Sequence, residues 1–202
     1  MRAASLLLLL FMSAAAYAAD GTSSVKPSET YTNELVRLHE AELLSLAGSP
    51  ALHAFLEKNK SRPTSLKEII DLDTRWMLDS ELRNSITGNA VAKQFQRILD
   101  DERYGIVELM LTDGFGALLA GRPTPSDYWQ GDEEKFYAPI KSAGIYATKA
   151  AWDESSHTNS LFISVPIESN GDFIGVLIAG IKITPEYMMQ MPIEELNRLR
   201  AQ

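Results

Sequence analysis

The chain has 202 residues, sets 27 acidic against 19 basic side chains for a formal charge of −8, and contains no cysteine. Without cysteine there is no disulfide, thiol nucleophile or thiolate metal site, and the acidic balance argues against a nucleic-acid partner. With 45 % hydrophobic residues, a chain of this length can bury the core of one ordinary domain by packing alone.

The first feature in chain order is a leader. Arg2 precedes an apolar run at residues 6–12, and small residues follow up to Ala16-Tyr17-Ala18-Ala19. That is the order of a secretory signal peptide, with Ala16 and Ala18 as the small side chains that place cleavage after Ala18. A membrane-spanning helix needs roughly 20 apolar residues, which neither this run nor the apolar stretch at 173–183 supplies. The expectation is a leader at 1–18 and a soluble mature chain in the periplasm.

Residues 19–30, rich in Ser, Thr, Gly and Pro, read as a flexible lead-in to a single domain at 31–202. Helical spacing starts at Tyr31, where Leu35, Leu38, Leu43, Leu44 and Leu46 share a face. Gly48 and Pro50 interrupt it, and Leu52, Phe55 and Leu56 carry a shorter helix that stops at Arg62-Pro63. Ser65 and Glu68 have capping-box spacing ahead of an apolar face of Leu66, Ile69, Ile70, Leu72, Trp76, Met77 and Leu78. A further helix is predicted to start near Asn89 and to bury Val91, Phe95, Ile98 and Leu99.

After Tyr104-Gly105 the period changes to two. Residues 106–111 and 117–120 read as a hairpin around Thr112-Asp113-Gly114-Phe115-Gly116. An irregular polar and aromatic stretch fills 121–139, and strands are expected at 144–150, 161–167 and 173–183. Asn170-Gly171 marks a tight hairpin between the last two, because both residues tolerate positive φ. A C-terminal helix is expected at 185–200. The predicted fold is α+β, with a helical part at 31–104 packed on a five-stranded, largely antiparallel sheet at 105–184.

Several runs in the second half carry a resemblance: Leu111-Thr112-Asp113-Gly114-Phe115-Gly116, Ser126-Asp127-Tyr128-Trp129-Gln130-Gly131-Asp132-Glu133, Trp152-Asp153-Glu154-Ser155 and Ile163-Ser164-Val165-Pro166. With Leu72-Asp73 and Trp76 ahead of them, they make residues 69–183 resemble the Cache family of PAS-like extracytoplasmic sensor domains. The resemblance implies a ligand held between the sheet and the segment after the second strand, here 122–136. On that basis Arg122, Asp127, Tyr128, Trp129 and Gln130 are candidate ligand-binding residues from the segment, and Tyr146, Lys149 and Asp153 from the facing strand.

The residue types fit two arrangements. Tyr128 and Trp129 offer stacking surface, Gln130 both donates and accepts, and the acids suit an amine while Arg122 and Lys149 suit a carboxylate. The same aromatics also fit a packed wall, and Asp132 and Glu133 a helix start. Loop spacing for Ca²⁺ is absent, so no metal or cofactor is expected. Neither a G-x-S-x-G elbow nor an H-E-x-x-H pair occurs, and His39, His53 and His157 are scattered, so the chain is not expected to be an enzyme.

The resemblance implies a sensor that binds a small organic molecule, such as an amino acid, an amine or a short carboxylate. Its state would pass to a membrane receptor, a kinase or a cyclic-dinucleotide enzyme. The alternative is a ligand-free interaction module serving as scaffold in an envelope complex. Leu35, Leu38 and Leu46 of the first helix fit either core packing or a homodimer.

Overall fold

The computed structural model describes residues 29–59, 65–101, 105–149, 151–153 and 157–183. The expected leader, most of the lead-in and the expected helix at 185–200 lie outside the described residues. Five helices come first: α1 Glu29–Ala47, α2 Pro50–Asn59, α3 Leu66–Arg75, α4 Ser80–Thr87 and α5 Ala90–Leu99. Then follow β1 Ile106–Asp113, β2 Leu118–Arg122, α6 Glu134–Ser142, β3 Tyr146–Ala147, β4 Ala151–Asp153, β5 Thr158–Ser169 and β6 Asp172–Lys182.

All strand pairs are antiparallel, in the order β2-β1-β6-β5, with β3 and β4 sharing the fifth column beside β5. The α+β class and the five-column sheet agree with the sequence. One expected strand does not. The strand expected at 144–150 is broken, because regular ladder pairing stops after Ala147. Thr148 stays attached to β5, its amide donating to the Phe162 carbonyl at 2.9 Å and its hydroxyl accepting from the Phe162 amide at 3.0 Å. A side-chain oxygen thus replaces a ladder carbonyl, and regular pairing resumes only at Ala151.

Strand residues alternate between two faces. On one, Leu109, Leu111, Leu161, Ile163, Val165, Leu177, Ala179 and Ile181 meet Leu35, Leu43 and Leu46 of α1, Leu52 and Leu56 of α2, and Val91 and Phe95 of α5. On the other, Met110, Leu118, Val176 and Ile178 meet Ile69, Trp76, Ile86, Tyr128 and Phe136. Leu35 and Leu46 therefore pack in the core, while Leu38 and Leu44 stay exposed.

Short-range signals explain the helix ends. Ser65 accepts from the Glu68 amide at 3.3 Å, and Asn89 accepts from the Ala92 amide at 3.0 Å. The Asn89 amide group also donates to the carbonyls of Ser85, Ile86 and Leu119, tying α4 and α5 to β2. Helix α4, which periodicity does not reveal, starts where Asp79 accepts from the Leu82 amide. The apolar face expected for α3 is narrower than its sequence suggests: Ile69, Leu72 and Trp76 turn inward, whereas Leu66, Ile70, Met77 and Leu78 are exposed. Within the irregular stretch, α6 forms around an internal Pro139. The β5–β6 turn has Asn170 at φ 55° and Gly171 at φ 85°, as the Asn-Gly pair predicts.

Candidate functional site

The segment between β2 and α6 is fastened before it offers anything to a ligand. One carboxylate oxygen of Asp73, on α3, accepts from the amides of Tyr128 and Trp129 at 2.9 and 3.0 Å. The Trp76 indole donates to the Pro125 carbonyl at 2.8 Å, and its ring packs on Tyr128 with centroids 5.9 Å apart. Backbone bonds join Leu118 to Tyr128 and Gln130 to Gly116, and the Trp129 indole reaches the Phe115 carbonyl. Gly116, at φ 85°, lies so close to Gly131 that a Cβ there would come within 2.4 Å of the Gly131 Cα. Glycine is required by both the dihedral and the approach.

Beyond this fastened stretch, a cavity of about 390 Å³ opens beside the step in the fifth column. Ser126 and Asp127 border it from the segment, Glu133, Glu134 and Lys135 from the start of α6, and Thr148, Lys149 and Asp153 from the stepped strand. Its sheet side is Ser160 and Phe162. Ser160 is 2 % exposed, and its hydroxyl has no hydrogen-bond partner among the described residues. The Lys135 ammonium lies 3.0 Å from Glu133 and 4.4 Å from the centre of the Phe162 ring, with only 12 % of its side chain exposed.

The residues expected to bind divide between this cavity and other places. Asp127, Lys149 and Asp153 line it. Tyr128 and Gln130 are buried, Tyr128 in the core against Trp76 and Gln130 with its amide on the Asp127 carbonyl. Trp129 is half-buried and bonded to Phe115. Arg122 points toward α5, where it donates to Gln96 at 2.7 Å, and the Tyr146 hydroxyl donates to Glu134. Ser126, Glu134, Lys135, Thr148, Ser160 and Phe162 were not singled out from the sequence, whereas Glu133, read there as an acid at a helix start, stands at the start of α6 and lines the cavity. A signal existed for Ser160: it alternates with Leu161 and Ile163 in a strand whose faces are both covered, so its hydroxyl had to be buried.

Electrostatics follow burial. The Tyr128 phenol is pushed well above its ordinary value by burial and by the nearby charges of Asp113 and Glu68. Hydrogen bonding to Glu134 is the leading cause that raises Tyr146. Of the histidines, His39 is buried with Nδ1 2.7 Å from the Leu35 carbonyl, within its own helix, and His157 is exposed. Among the described residues no group of three or more carboxylates and histidines is placed to hold a metal ion, and no helix is long and apolar enough to cross a membrane.

No family model and no curated protein matches the sequence. Solved structures do. The chain is similar to the ligand-binding domain of the Pseudomonas aeruginosa amino acid chemoreceptor PctB in complex with L-Gln, at 16 % identity and TM-score 0.38 over 75 % of this chain and 50 % of that one. It is also similar to the sensor domain of the Vibrio cholerae histidine kinase DctB, at 15 % identity and TM-score 0.39 over 78 % and 57 %. A third is the ligand-binding domain of a Campylobacter jejuni chemoreceptor in complex with L-norvaline, at 18 % identity and TM-score 0.36 over 85 % and 60 %. Its structural neighbours are sensor domains. The matches span about half to three fifths of those domains' length.

Proposed function

We propose that this chain is an extracytoplasmic sensor domain that binds a small organic molecule in the cavity between α6 and the stepped edge of the sheet. The observation that carries this reading is the buried, unpartnered Ser160 hydroxyl on the wall of that cavity. Buried polar side chains almost always have a partner, and a polar group of a bound molecule supplies one. The cavity is within the size range of small-molecule sites. The surrounding carboxylates and ammonium groups fix the orientation of such a ligand.

Binding draws on both the 126–127 stretch and the stepped strand, so it favours conformations in which the two are close. Asp73 and Trp76 tie that stretch to α3, and α3 with its following turn presents exposed Leu66, Ile70, Met77 and Leu78. A receptor, kinase or cyclic-dinucleotide enzyme in the membrane would read the state there. The same exposed side chains favour the second reading, a ligand-free module that docks on a protein.

Thermal unfolding against amino acids, amines and short carboxylates separates the two. A ligand at about a hundred times its dissociation constant adds roughly 2.7 kcal/mol, or about 5–10 °C for a domain of this size. A shift confined to one chemical class supports the sensor. A flat panel, repeated after denaturing and refolding to strip any retained ligand, sinks it.

A further inference from the structure

Resting on that reading, we infer that the ligand of this cavity carries net positive charge and is a compact organic amine. Four carboxylates border the cavity, Asp127, Glu133, Glu134 and Asp153, against two ammonium groups, Lys135 and Lys149. The two cations are not equivalent. Lys135 is mostly buried, paired with Glu133 and laid over the Phe162 ring, so its charge is already met inside the protein. Lys149 is exposed, as are Asp127 and Glu134, so water and salt weaken these three charges alike and the excess of carboxylates stands.

Among the described lining residues, a ligand carboxylate entering here meets Asp127 and Glu134 against Lys149, the Lys135 charge being already engaged by Glu133. An ammonium meets the opposite field. Glu134 takes one hydrogen bond from Tyr146 and Asp127 one from Ser126, but a carboxylate has about four acceptor sites, so both retain capacity for N–H donors. The Ser160 hydroxyl, 2 % exposed and without a partner, supplies a further acceptor on the wall. A bare metal ion is the poorer match, since no three carboxylates or histidines among the described residues converge on one point. The geometry therefore selects a donor with several N–H groups and an apolar body to lie along Phe162 and Thr148.

Calorimetric titration of the refolded protein at low salt tests this with three probes: 1,4-diaminobutane, L-glutamine and succinate. The diamine is expected to bind at least about tenfold more tightly than either of the others. Its affinity should fall as salt is raised, and by about tenfold in D127N and in S160V, with unfolding temperatures checked for both. Asp127 is exposed, so D127N keeps the test available if the buried Ser160 substitution impairs folding. Tighter binding of glutamine or succinate, lost in S160V, overturns the charge class while leaving the cavity as the site. Diamine binding that is unchanged in both variants overturns the assignment to this cavity. No binding of any probe overturns the ligand-binding reading itself.

Discussion

Asp113 ends β1 and is 1 % exposed. One of its carboxylate oxygens accepts from the amides of Phe115 and Ala117 at 2.8 and 2.9 Å, while the other has no partner among the described residues. Burial raises its pKa to about 6, against the opposing pull of those amides. The native state thus keeps a proton that the unfolded chain has released from about pH 4 upward. The stability this contributes is complete below the unfolded value, declines as pH rises, and is gone above about pH 6. A shift of this size corresponds to about 3 kcal/mol. Replacing Asp113 with Asn keeps an acceptor for the two amides and removes the titration. The unfolding temperature of the wild type should therefore drop relative to D113N between pH 4 and pH 7, and a constant difference across that range would refute the assignment.

At the scale of elements, the segment preceding α6 owes its position to α3 more than to its own sequence. Asp73→Ala removes a charged acceptor from two amides, at a cost of roughly 2–3 kcal/mol. Hydrogen exchange should show the Tyr128 and Trp129 amides losing protection while amides of β6 retain theirs. Uniform loss across the sheet would mean that Asp73 supports the whole fold and not this segment. The contrast in legibility belongs here as well. Capping by Ser65 and Asn89 and the Asn170-Gly171 turn are local, so a few adjacent residues announce them. The bond from Asp73 spans 55 positions, and nothing near either end signals it. Helix α4 lacks a long apolar stripe, and Pro139 hides α6. On an irregular segment no period dictates direction, which is why Asp127 and Tyr128 read alike in the sequence although one lines the cavity and the other is core. Lys135 escaped notice because its burial depends on Phe162, a strand away.

Over the whole molecule, the sheet divides two cores. The helical face, centred on Phe95, Leu109 and Leu177, is packed mainly with aliphatic side chains, and the opposite face holds the aromatic cluster next to the cavity. Phe95 is fully buried, so Phe95→Ala should cost about 3–5 kcal/mol. Affinity for a cavity ligand, measured well below the lowered unfolding temperature, should stay within about twofold of the wild type, because sites without shared partners act nearly independently. A large affinity loss would show that the two faces are coupled through the sheet.

The margins of this sheet also govern how copies of the chain behave toward one another. At its start strand β2 is met on the outer side by the 128–130 stretch, through the Leu118–Tyr128 bond and the adjoining Gln130–Gly116 bond, and the Asn89 side chain takes up the Leu119 carbonyl. At the far side the fifth column is broken into pieces of two and three residues. An intact edge strand would expose a row of unpaired amides and carbonyls on which a foreign strand could grow. With one margin capped at its start and the other interrupted, the described sheet offers a short template for strand-by-strand aggregation, and the interruption that opens a cavity for ligand also guards against fibre formation.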